Sequence, residues 1–130
     1  MVKINGQDVE WKKFPEGWYL TDVQYHTLWK DKDTGAMFIL IKIPAGGTHE
    51  LIHTHPQANQ MIFGLSGSMV RGSNLITAGE GNYTFGYSLK GNSHGPPMGS
   101  KITQELVVLQ YFDGPPTKYN EGETIELTLE

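Results

Sequence analysis

No long stretch of this chain repeats apolar residues at the 3.6-residue spacing of a helix. Instead, short runs rich in β-branched and aromatic residues alternate with Gly, Asn, Asp and Pro. That pattern predicts strands at Trp18–Leu20, Tyr25–Lys30, Met37–Ile43, Glu50–His55, Gln60–Leu65, Ser68–Gly72, Asn82–Tyr87, Ile102–Phe112 and Glu123–Leu129. Asp31-Lys-Asp-Thr-Gly35 reads as a hairpin turn in which Gly35 is free to take positive φ. Pro44-Ala-Gly-Gly47 and Ser66-Gly67 read as further turns. Many short strands at regular spacing predict an all-β fold: a sandwich, jelly roll or small barrel.

Met37–Ile43 is apolar at nearly every position and so needs cover on both faces. One face can line the interior. The other must meet a second sheet or a partner subunit, which predicts a homodimer. Trp11, Trp18 and Trp29 crowd the first quarter of the chain, either in that contact or as plugs at the end of the sandwich.

With 130 residues the chain suffices for one domain with its own core, and residues 1–130 are expected to be one unit. The sequence has no cysteine, so disulfides and thiolate ligands are ruled out and a transition metal would need imidazole, amide or carboxylate donors. The formal charge of −4 is scattered, which argues against nucleic acid or an anionic membrane as partner. Neither a secretory run nor a bilayer-spanning stretch is visible, so a cytoplasmic protein is expected. A nucleotide cofactor is not expected either, because no glycine loop leads into a helix.

The chemistry concentrates in His53-Thr-His55. Residues two apart on a strand point to one face, roughly 6.5 Å apart along the chain, close enough for two imidazoles to converge on one ion. His94 would complete a set of three. Two exposed edge-strand histidines are the bland alternative, and the third His together with the flanking glycines argues against it.

Gly47-x5-His53-x-His55-x4-Gln60-x6-Gly67 resembles the first motif of the cupin family, with Gln60 where that family usually carries Glu. Leu89-Lys-Gly91-Asn-Ser-His94 resembles the core of the second motif, with Leu89 in place of Pro and Met98 where a later Asn would fall. The two motifs lie within residues 47–67 and 89–94. The resemblance implies a cupin-type jelly roll, a small β-barrel of two packed antiparallel sheets. It also implies a divalent transition metal held by His53, His55, His94 and Gln60, with Fe(II) favoured and Zn, Mn or Ni as alternatives. His94-Gly-Pro and Tyr111-Phe-Asp-Gly-Pro further resemble one-domain cupins that include diketone-cleaving dioxygenases such as acetylacetone dioxygenase.

Gln60 has the same strand parity as Ile62 and Gly64, which in a cupin points it inward. A glutamate ligand would cancel one unit of metal charge, whereas a glutamine leaves the full dication. Such a site should favour an anionic, bidentate oxygen chelate as its small-molecule ligand, such as an enolate, β-diketonate or α-hydroxyketone anion. Together with this preference, the resemblance to the diketone-cleaving dioxygenases implies an Fe(II) dioxygenase of a small enolisable carbonyl compound or hydroxyketone, with Gln60 orienting the open side of the metal. A Zn or Mn lyase or isomerase, or a binding module without turnover, remains open. The other candidates have plainer expectations. His49 is expected in a surface loop, His26 in a packed contact, Glu80 in a solvated turn, Arg71 at the surface, and Tyr83, Phe85 and Tyr87 in the core.

Overall fold

The computed structural model describes residues 1–46, 52–96, 100–120 and 123–125. The chain is all-β. Strands β1 (Lys12–Lys13), β2 (Gln24–Lys30), β3 (Met37–Ile43), β4 (Gln60–Arg71), β5 (Asn74–Ala78), β6 (Thr84–Ser88) and β7 (Lys101–Phe112) form one sheet, and β8 (Lys118–Asn120) pairs with β9 (Glu123–Ile125). Every pairing is antiparallel. A 3-10 turn at Gly6–Asp8 is the sole helical element among the described residues, where no helix is long and apolar enough to cross a membrane.

The large sheet runs β1-β2-β3-β7-β4-β5, with β6 beside the first half of β4. β4 is 12 residues long and serves two partners along one edge, β6 from Gln60 to Gly64 and β5 from Gly67 to Arg71. The second layer is built around residues 53 and 54. Thr54 exchanges both backbone hydrogen bonds with Tyr119 of β8 (3.0 and 2.9 Å), and His53 exchanges both with His94 (2.8 Å each).

Alternation along β3 divides its residues between two environments. Met37, Ile39, Ile41 and Ile43 are buried and join Tyr25, Ile102, Val108 and Phe112 in the core. Phe38 and Leu40 face the other way and are only partly covered.

Several expectations need correction. Trp18–Leu20 is not a strand, because Trp18 turns inward from a loop, stacks on Phe14 (5.8 Å between ring centroids) and plugs the core. Trp29 instead lies half exposed on the outer face, and Trp11 takes the Lys42 ammonium over its ring at 4.5 Å. Ser66-Gly67 is no turn but an irregularity inside β4 where the register shifts. Gly67 takes φ 101°, and a Cβ there would collide with the Glu105 carbonyl oxygen on β7. β5 was not anticipated from the residue pattern, being a mostly exposed edge strand behind the tight Gly72-Ser73 turn. The Asp31–Gly35 hairpin stands as expected, with Gly35 at φ 78° and the Asp31 carboxylate accepting the Asp33 N–H at 2.9 Å. Gly47, His49, Glu50 and Met98 lie outside the described residues, as do the start of the expected Glu50–His55 strand and the end of Glu123–Leu129.

Lys118 ties the layers together. It is fully buried, its Nζ donates to the Trp18 carbonyl at 2.5 Å, and the ammonium lies 5.0 Å from the Tyr19 ring centroid. Removing the ammonium strands a buried carbonyl and removes packing, so Lys118→Met should cost about 2–4 kcal/mol of stability. Urea unfolding of the two proteins measures the difference.

Candidate metal centre

The backbone bridge between His53 and His94 places two imidazoles side by side, and His55, two residues on, turns to the same face. The three ring centroids are 4.4 Å (His53–His94), 4.8 Å (His53–His55) and 5.0 Å (His55–His94) apart. One ligand nitrogen from each lies within 4.8 Å of the others. His53 and His55 are buried and His94 partly so. Among the described residues no Asp or Glu joins the group.

Hydrogen bonds fix which nitrogen His55 and His94 offer. His55 Nδ1 lies 3.1 Å from the Pro116 carbonyl and 3.3 Å from that of Thr117. Carbonyl oxygens only accept, so Nδ1 carries the proton and Nε2 presents a lone pair. His94 Nδ1 likewise faces the Asn92 carbonyl at 3.1 Å and Ser88 Oγ at 2.8 Å, and its buried Nε2 has no hydrogen-bond partner among the described residues. Such outer contacts are what metal-bound imidazoles require. Sequence reasoning did not find Ser88, Asn92, Pro116 or Thr117, since their role depends on pairings between distant segments.

The donor set fits a divalent transition metal. His53 Nε2 and His55 Nε2 are 3.2 Å apart. Two nitrogens bound at about 2.1 Å to one ion are about 3.0 Å apart at a right angle and about 3.4 Å apart at the tetrahedral angle. The observed spacing falls between those limits, and the lone pair on His94 Nε2 otherwise has no use in its buried position.

Burial, with added repulsion from His53 and His94, holds the His55 imidazole down to about 3 in the metal-free protein. An unfolded chain protonates this residue near pH 6.5. The unfolded state therefore binds one more proton between those values, and stability falls as pH drops from about 6.5 toward 3, by up to about 1.4 kcal/mol per pH unit. Denaturant melts of metal-free wild type and His55→Gln at pH 7 and pH 4.5 check this, because the variant should lose that slope.

Gln60 is buried at the first position of β4, paired in register with Ser88, the residue that holds His94. Its Nε2 donates to Gln110 Oε1 at 2.9 Å, and its Oε1 is a buried acceptor without a hydrogen-bond partner among the described residues. Gln110 lines a cavity of about 640 Å³ whose walls include Ile62, Met69, Leu106 and Val108 together with Ser88 and His94. Gln110 drew no attention in the sequence, where it reads as one polar residue in an apolar strand.

The remaining candidates stand outside the histidine cluster. His26 bonds the Glu10 carbonyl at 3.0 Å on β2 and takes no part in the cluster. Glu80 is an exposed turn residue at φ 51°. Arg71 is exposed yet also lines the cavity. Tyr83, Phe85 and Tyr87 were expected in the core, and the structure corrects this. They are exposed, with Thr84 and Ser88 taking the more covered positions of the edge strand β6, and all three border the cavity. Asn59, unremarked in the sequence, joins three loops near the site. Its N–H and Nδ2 donate to the Asp113 carboxylate (2.7 and 2.8 Å), and its Oδ1 accepts the Lys90 N–H (2.7 Å).

This antiparallel architecture, with histidines from two segments clustered and one of them, His94, lining its cavity, is that of the cupins, and the chain has the cupin fold. Similar solved structures include an acetylacetone dioxygenase from Acinetobacter johnsonii, 20% identical over 98% of this chain and 85% of that one, with a TM-score of 0.67. An RmlC-like cupin protein from Ralstonia eutropha JMP134 is 18% identical over 99% of this chain and 78% of that one, with a TM-score of 0.69. The polyketide cyclase RemF from Streptomyces resistomycificus is 15% identical over 100% of this chain and 87% of that one, with a TM-score of 0.60. At these identities the likeness is one of fold. No family model and no curated protein sequence matches the chain.

Proposed function

We propose that this protein is a metal-dependent cupin enzyme, an Fe(II) dioxygenase of a small enolisable carbonyl compound or hydroxyketone. The observation that carries the reading is the charge of the site. Three imidazoles cluster without a carboxylate among the described residues, and one of them, His94, lines a largely apolar cavity. Neutral donors leave a bound dication with its full charge, and a substrate that chelates as an oxygen anion supplies the compensation. The likeness to an acetylacetone dioxygenase agrees with that class of substrate.

His53, His55 and His94 would hold the ion. The Pro116 and Thr117 carbonyls keep the His55 proton on Nδ1, and the Asn92 carbonyl does so for His94. Gln110 holds the amide of Gln60 and leaves its Oε1 without a hydrogen-bond partner among the described residues, so that oxygen would be available to the ion. Ile62, Met69, Leu106 and Val108 take up the apolar body of the substrate and keep water from it. Arg71 gives the cavity its one formal charge among the described lining residues, of the sign that draws in an anion. When bound there, Fe(II) supplies Lewis acidity toward the substrate oxygens and the electrons that engage O₂.

Anaerobic purification, Fe(II) loading and O₂ uptake with a panel of β-diketones and hydroxyketones tests this. One O₂ consumed per substrate cleaved is expected. The likeness to a polyketide cyclase favours a second reading, in which a redox-inert ion assists proton transfer. Turnover with Zn(II) or Mn(II) in the absence of O₂ would establish that reading instead.

A further inference from the structure

The cavity is far larger than a simple diketone. At about 640 Å³ it lies within the range of about 300–1,000 Å³ that encloses drug-sized ligands. Its wall follows β4, with Ile62 lining it near the start of the strand, Gly64 and Met69 further on, and Arg71 at the last residue. At about 3.3 Å per residue, up to roughly 30 Å of strand separates Ile62 from Arg71, and β7 runs beside nearly all of it.

The start of β4 is the histidine side. Ser88 pairs with Gln60 and bonds His94, and both Ser88 and His94 border the cavity. Gly86 pairs with Ile62 two residues further in, and a Cβ there would meet nothing within 4 Å, so the passage beside it is open. Arg71 is the only arginine in the chain. Among the described residues it makes no hydrogen bond or ion pair, and no Asp or Glu lines the cavity.

We propose that the cavity takes an elongated amphiphile, with a chelating dicarbonyl head beside His94, an apolar chain passing Gly86 and Met69, and a terminal carboxylate on Arg71. The head rests on the dioxygenase reading above, whose small enolisable unit it is; the tail rests on the cavity alone. A guanidinium matches a carboxylate with two parallel N–H donors and keeps its charge at any working pH. The apolar stretch between offers an anion no compensation, so the charged terminus belongs at the one cation among the described lining residues. Arg71 is exposed, so the carboxylate keeps part of its hydration and its desolvation costs little.

Two measurements test tail and head separately. Calorimetry of the metal-free protein at about pH 8 compares decanoate with 1-decanol. Wild type should bind decanoate about tenfold or more tightly. Arg71→Met should bring that ratio close to one, and Arg71→Lys should keep part of it. With Fe(II) bound, O₂ uptake compares β-diketones carrying a terminal carboxylate on chains of increasing length with their methyl esters. The acids should be preferred in kcat/KM by a similar factor, with an optimum chain length. Gly86→Leu, which narrows the passage, should lower the ratio of long-chain to short-chain turnover about tenfold. If that variant fails to fold, the Arg71 pair still decides. Decanoate bound no better than decanol by wild type, or a preference that Arg71→Met retains, overturns the tail. Absence of O₂ uptake with every diketone overturns the head together with the dioxygenase reading, and leaves the calorimetric result to stand or fall by itself.

Discussion

Replacing His53 with alanine is expected to weaken binding of a divalent ion by roughly two to three orders of magnitude while the sheet stays folded. Four-ligand structural zinc sites gain about 10–16 kcal/mol, or about 3–4 kcal/mol per ligand, and each 1.4 kcal/mol is tenfold in affinity. The fold survives because residue 53 contributes to the second layer through its backbone, whose two hydrogen bonds to His94 do not involve the imidazole. His94→Ala should behave alike. Ser88→Ala should cost less, about 10–100-fold, since Ser88 acts on the ion only through His94 Nδ1. Titration of metal-free protein with Fe(II) or Zn(II), alongside circular dichroism, checks the series. Full metal occupancy in His53→Ala would sink the assignment of the triplet.

What could be read beforehand and what could not follow from how far apart the interacting residues lie. The His-x-His spacing reports a strand face directly, and so the clustering of His53, His55 and His94 was legible. β3 was legible to the residue because its alternation is set by local burial on one side. Gly67 was legible as a necessary glycine but not as a bulge, since the obstructing Glu105 carbonyl comes from β7. The same holds for the groups that orient the imidazoles. Pro116 lies 61 residues from His55, and Gln110 lies 50 residues from Gln60. Tyr83, Phe85 and Tyr87 misled because alternation fixes that three residues share a face without fixing which face. Only the pairing of Phe85 with Phe63 and of Tyr87 with Met61 places them outside. The apolar outer half of β3, which called for cover, belongs to the same face.

Gln60→Glu is the change that separates a charge-selective site from a merely histidine-rich one. The variant should bind a divalent ion about tenfold or more tightly, because a carboxylate replaces a neutral amide near the dication. It should bind a β-diketonate more weakly by on the order of a hundredfold. A carboxylate about 4 Å from a second anion costs about 4 kcal/mol at an effective dielectric constant of 20, part of which the ion between them offsets. A further loss follows from the amide pair. A glutamate cannot donate to Gln110 Oε1 as Gln60 Nε2 does, so Gln110 must turn its amide nitrogen toward residue 60 and away from the cavity it lines. Gln60→Met isolates the charge, since it removes the Gln110 contact without adding an anion and should leave the metal affinity nearer to wild type than Gln60→Glu does. Metal competition against a chelator and spectrophotometric titration with a β-diketone measure the two affinities in parallel. Opposite shifts in Gln60→Glu mean that the neutral amide keeps the ion's charge available to substrate. If both affinities stay at the wild-type value, Gln60 has no access to the ion and the orphaned Oε1 serves some other contact.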